Sequence, residues 1–251
     1  MKLALIAAGL ALIGGAAWFA QYRDEEVTMQ FEGQNAVLEQ AIIADDPQAV
    51  AAALAAGADV NAQGTLGVTP LAFAVGTGKG QAAAALVAAR ADPNIPDTDG
   101  DTAMTLAVNR YATDPALLEL VLDAGGNPNA MRPDGDPVIV RFLNGANLEA
   151  ITLMHARGAN LDAIANNQPL VVFAAYGADW DVVWYLITLG ADLSGQQARD
   201  GLVEAFKVPG ATLPDSPLWE DKVRVYEHLR GLGLDPVPPA GYGEPRGETS
   251  P

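Results

Sequence analysis

The chain has 251 residues and sets 31 Asp and Glu against 14 Lys and Arg, a net charge of -17. That charge repels a phosphate backbone and argues against DNA or RNA as a partner, while a sequence that is 50% hydrophobic can form a sizeable core and is not disordered throughout. There is no cysteine, which excludes disulfide frameworks, thiolate zinc sites and thiol nucleophiles. Aromatic content of 6% beside abundant alanine points to closely packed short helices more than to a sheet sandwich.

At the amino terminus, Lys2 is followed by 18 uncharged positions from Leu3 to Ala20, which as a helix would span roughly 27 Å, near the thickness of a bilayer core. Arg23, Asp24, Glu25 and Glu26 make the far flank net negative, so the positive-inside rule places the rest of the chain outside the cytoplasm, in the periplasm of a Gram-negative bacterium. Leu3 to Ile13 also has the length of a signal-peptide core, with Gly15, Ala16 and Ala17 as small cleavage-site residues. Trp18, Phe19 and Tyr22 fit the aromatic belt of an uncleaved helix. Residues 1–23 are therefore expected to be an anchor on the periplasmic side of the inner membrane or, if cleaved, a signal peptide releasing a soluble periplasmic protein; residues 24–33 form a linker.

Beyond the linker one phrase recurs: Gly57 to Asn61, Arg90 to Asn94, Gly125 to Asn129, Gly158 to Asp162 and Gly190 to Ser194. Its central Asp59, Asp92, Asn127, Asn160 and Asp192 fall at intervals of 33, 35, 33 and 32 residues. A second phrase, Thr69-Pro70-Leu71-Ala72-Phe73-Ala74, has degraded echoes at Thr102 to Ala107, Asp136 to Val140 and Gln168 to Ala174. Thr69 can cap a helix, Pro70 suits its first position, and Gly57, Gly158 and Gly190 suit helix ends that need a left-handed residue. Apolar pairs such as Val182 with Val183 and Leu186 with Ile187 have helical spacing and need a neighbouring repeat to bury them.

The period and both phrases, over residues 34–198, resemble the ankyrin repeat. The resemblance implies an all-α ankyrin-repeat solenoid of about five repeats. The usual histidine of the second phrase is missing from every copy, so its bonds must be replaced or forgone. The first repeat, near Asn35 to Gln63, lacks the second phrase and reads as an amino-terminal cap. Helices are expected at Gln196 to Phe206 and Leu218 to Leu232, in a carboxy-terminal helical cap over residues 199–236, and residues 237–251, rich in Pro and Gly, form an expected disordered tail.

Little in the chain reads as chemistry. His155 and His228 lie on different repeats, which argues against a shared metal or a catalytic triad. Asp97, Asp99 and Asp101 imitate the start of a calcium loop, but the glycine falls early at Gly100, and Val108 stands where a bidentate Glu is needed. A carboxylate site around Asp215, Glu220 and Asp221 is the enzymatic alternative. No cofactor, metal or catalytic residue is expected.

Ankyrin proteins resemble one another in binding partner proteins through projecting turns and the concave face. The resemblance implies that one such turn carries Asp97, Asp99 and Asp101, and the next Arg132, Asp134 and Asp136. Together they would make an acidic ridge for a basic protein surface. The aromatic group Phe173, Tyr176, Trp180, Trp184 and Tyr185 reads mostly as packing, with Trp180, opening a helix beside a turn, the exception offered as a partner contact. The expected role is stoichiometric protein binding, as an immunity protein neutralising a secreted toxin or as a periplasmic scaffold or helper of an envelope enzyme.

Overall fold

The structure is a computed structural model and describes residues 31–208 and 217–243. The expected anchor or signal segment lies outside the described residues, as does Asp215. Among the described residues no helix is long and apolar enough to cross a membrane. The chain divides into two compact units, the first ending at Val138 and the second beginning at Ile139. Each is a stack of short helices, the all-α ankyrin-repeat architecture.

In the first unit, helices pair as α1 (Gln34–Ile43) with α2 (Pro47–Ala55), α3 (Pro70–Thr77) with α4 (Gly80–Ala88) and α5 (Ala103–Arg110) with α6 (Pro115–Asp123). First helices pack on first helices and second on second. Helix starts follow local chemistry. Thr69 Oγ1 accepts from the Ala72 amide at 3.2 Å with Pro70 behind it, and Asp46 Oδ1 accepts from the amides of Gln48 and Ala49, both at 3.0 Å, ahead of Pro47. The start of α4 lacks a local cap, and Asp45 of the preceding repeat supplies one by accepting from the Ala82 amide at 2.8 Å.

The recurring phrase is a hydrogen-bond ladder. Within each copy the first carboxylate or amide oxygen accepts from the amide two residues on, as Asp59 does from Asn61 and Asp92 from Asn94, both at 2.9 Å. The last Asn then accepts from the next copy: Asn61 from the Asp92 amide at 2.9 Å, and Asn94 from the Asn127 amide at 2.8 Å. Asn35 starts the ladder by accepting from the Asp59 amide at 2.8 Å. A short polar side chain that folds back on the backbone is needed at both positions, which fixes Asp or Asn there. The glycine before each copy ends a helix in the left-handed region, as at Gly57 (φ 100°) and Gly125 (φ 90°); Arg90 occupies the same place with φ 66°.

In the second unit, α7 (Val140–Leu143) and α8 (Leu148–Ala156) precede a hairpin of β1 (Ile164–Ala165) and β2 (Gln168–Pro169), then α9 (Leu170–Tyr176), α10 (Trp180–Thr188), α11 (Gln196–Ala205) and α12 (Pro217–Gly231). Ala165 pairs with Gln168 across Asn166 and Asn167, both with positive φ, in the tight turn a two-residue hairpin demands. The ladder persists here: Asp162 accepts from the Asp192 amide at 2.6 Å. α9 packs on α10 and α11, and α10 on α12. Val182, Val183 and Leu186 are buried as their spacing requires, with Ile187 half-buried.

The part of the expected disordered tail that is described, residues 237–243, is instead ordered against α12. Trp219 Nε1 donates to the Ala240 carbonyl at 2.8 Å, and the rings of Tyr226 and Tyr242 meet edge to face at 4.7 Å. Aromatic contacts outweigh the Pro and Gly content that suggested disorder.

Candidate protein-binding surface

Three turns of the first unit share one construction. The amides of Gly64, Asp97 and Arg132 donate to the carbonyls four residues on, of Val68, Asp101 and Asp136, at 3.0, 2.8 and 2.8 Å. Gly67, Gly100 and Gly135 take positive φ at the fourth position of each. The first two turns are stitched together, since the Thr98 amide donates to the Leu66 carbonyl at 2.8 Å and Gln63 Nε2 to the Pro96 carbonyl at 3.3 Å.

Carboxylates in these turns have different duties. Asp97, half-buried, accepts from the amides of Asp99 and Asp101 at 2.9 Å each, which holds the turn closed. Its pKa is nonetheless raised, because desolvation outweighs those two bonds. Asp101 is 4% exposed and accepts from the Thr105 hydroxyl at 2.9 Å. Burial raises its pKa as well; the Thr105 bond and the charge of Arg132 in the next turn partly offset this. Asp101 therefore leaves the expected ridge: it braces the turn from inside.

Thr105 occupies the place of the missing histidine and does its bracing. Besides donating to Asp101, it accepts from the Thr102 amide at 2.9 Å, while Thr102 Oγ1 accepts from the Thr105 amide at 3.2 Å, a reciprocal cap. The sequence carried this signal in the Thr-x-x-Thr spacing.

What remains exposed is Asp99 in one turn and Asp134 in the next, with Asp97 and Asp136 half-buried beside them. Arg132 forms an ion pair with Asp134 at 2.5 Å. Both groups are partly solvated, so the pair adds little stability. The resemblance to a calcium loop ends at the hydrogen bonds, because Asp97 and Asp101 spend carboxylate oxygens on the turn itself. Among the described residues no group of three or more His, Asp or Glu could hold a metal ion.

Trp180 is not a surface anchor. It is 1% exposed and its ring lies 4.6 Å from that of Phe206. The sequence places it beside a turn, but Phe206, which covers it, comes from the cap 26 residues later. Of the other aromatics, Tyr176 is exposed, Tyr185 bonds through its hydroxyl to Thr152, and Trp184 meets His228 edge on at 6.0 Å. His155 is half-buried with its Nδ1 unpartnered. In α12, Asp221 is tied to Arg224 at 2.7 Å and Glu220 is exposed.

Stacked helix pairs joined by an Asx ladder, with projecting turns one repeat apart, define an α-helical repeat protein of the protein-interaction class. The family model described as ankyrin repeats (many copies) matches residues 54–107, so that stretch of the chain carries ankyrin repeats. No curated protein matches the chain. Ankyrin repeats are modules for protein–protein interaction, and the family is typically non-enzymatic.

Proposed function

We propose that the chain binds a partner protein stoichiometrically through the acidic turns of its first unit, and that the partner presents a basic surface. The observation that carries this is the repetition of one turn geometry with an exposed carboxylate at its tip, Asp99 in one copy and Asp134 in the next, in a chain of net charge -17. Such a field speeds encounter with a cationic partner and loses that advantage as salt screens it. The amino-terminal apolar segment supports action on the periplasmic side of a bacterial inner membrane. An exported binder that acts by occlusion fits an immunity protein neutralising a secreted toxin, with a helper of an envelope enzyme as the other form of the same mechanism.

The test uses the full chain in mild detergent as bait in native envelope extract, beside a variant carrying Asp99→Asn, Asp134→Asn and Asp136→Asn. Asp97 and Asp101 stay in place because they hold the turn together. Recovery of one stoichiometric basic protein by the native bait and not by the variant supports the acidic turns as the contact. Equal recovery by both moves the contact elsewhere, and no specific partner with either overturns the binding reading.

A further inference from the structure

The buried stripe of α12 runs through Trp219, Lys222, Val225, Tyr226 and Leu229, so a lysine stands where the helix faces the core. Lys222 is 7% exposed, and its Nζ lies 4.8 Å from the ring centroid of Trp180 and 5.4 Å from that of Phe206. Ring faces attract the ammonium, but among the described residues no carboxylate accompanies it. Among the described residues Nζ has no hydrogen bond or ion pair, although the chain carries 31 acidic residues.

Beside this lysine is a cavity of about 20 Å³, walled by Lys222, Trp180, Tyr176, Val208 and alanines. Trp180 brings a second unsatisfied donor, since its Nε1–H is buried without an acceptor. Two of its lining residues reach the surface, Tyr176 at 43% and Val208 at 42% exposed. Space of this size holds one water-sized group, so a carboxylate would seat a single oxygen there and keep its other atoms at the rim. A water could accept from both donors, but it would leave the ammonium's charge without a counter-charge. An anion accepts without donating, and it also supplies the charge the lysine lacks. Burial lowers the pKa of Lys222, and a bound anion would reverse that shift.

We propose that this cavity is a binding site for one small monovalent anion, a carboxylate of formate size, held between the Lys222 ammonium and the Trp180 indole N–H. The carboxylate comes either from a free acid or from the tip of a Glu or Asp side chain on a bound polypeptide. The site lies in the second unit and is independent of the acidic turns.

The test uses the full chain in low-chloride buffer and follows two signals: the indole N–H resonance of Trp180, assigned with Trp180→Phe, and the Lys222 side-chain titration, assigned with Lys222→Met. Formate is expected to shift the indole signal saturably and to raise the lysine pKa; neutral formamide does neither. Lys222→Met should weaken formate binding by about tenfold or more. A glutamate blocked at both backbone ends, compared with the equally blocked glutamine, separates the sources: binding of the glutamate supports a side-chain ligand, and binding of formate alone supports a free acid. A linear response to formate, an equal response to formamide, or unchanged affinity in folded Lys222→Met overturns the site. If Lys222→Met fails to fold, the native chain's lysine pKa in formate against formamide decides the question.

Discussion

The two units close the space between helices with a different balance of small and large side chains. In the first, alanines do it: Ala53, Ala72, Ala74, Ala82, Ala83, Ala103 and Ala107 are each no more than 2% exposed. In the second, rings join the alanines, with Trp180, Phe206, Trp219 and Tyr226 all buried. Where the repeat is regular, small side chains let neighbouring helices approach closely; in the cap, large rings take up the space between helices. Rings bring polar tips that need partners. Trp219 finds one in the Ala240 carbonyl, and Trp180 does not.

The contrast breaks most readily at Trp180. Trp180→Ala should cost about 3–5 kcal/mol, read as a lower urea midpoint at unchanged slope, because the lost ring leaves a void that Phe206 and Lys222 cannot fill. Trp180→Phe should cost much less, since it keeps most of the packing. In the first unit the sensitive change is the reverse one. Ala83→Leu should cost about 1–3 kcal/mol by overpacking, whereas Ala84→Leu one residue on, at an exposed position, should fall within about 0.5 kcal/mol. A tolerant Ala83 would mean that the first unit is not closely packed.

How much of this could be read from the sequence follows the range of the interactions. The ladder phrase, the Thr69 cap and Pro70 at the first helical position were legible because each is decided within a few residues. So was the helical cap, whose helices at Gln196–Ala205 and Pro217–Gly231 lie within a residue of the expected bounds. Asp101 was read as exposed because its inward turn depends on Thr105 serving two partners at once. The burial of Trp180 depends on Phe206 and Lys222, which come from helices far along the chain, so no local pattern announces it. Residues 237–243 read as tail because proline and glycine dominate, while the rings that hold them belong to α12. Lys222 did carry a local signal, a charge placed in the register of Trp219, Val225 and Leu229.

The ladder is what the units have in common, and it gives a smaller effect of equal size in each. Asn94 accepts from the Asn127 amide and donates from Nδ2 to the Gly125 carbonyl at 3.0 Å. Asn94→Ala should therefore cost about 1–2 kcal/mol by thermal or urea unfolding, less than a core void because the freed groups are exposed and regain water. Asp162→Ala in the second unit removes the rung to Asp192 and should fall in the same range. If only one of them matters, the ladder is structural in one unit and incidental in the other.

The smallest effects should separate the units by sign. Burial raises the pKa of Asp97 above its unfolded value, so the native state binds more protons just above about pH 4 and loses stability as pH rises through that window. Asp192 is the opposite case: the amide and hydroxyl of Ser194 lower its pKa, so its contribution is present above the ordinary Asp value and is lost as pH falls through the depressed one. Asn at either place keeps an oxygen for the backbone amides and removes the titration. Urea midpoints compared between about pH 3 and about pH 7 should show Asp97→Asn gaining on the parent chain as pH rises, and Asp192→Asn losing ground over the same interval. The same direction for both variants would mean that desolvation does not govern Asp97, and that its two amide bonds outweigh its burial.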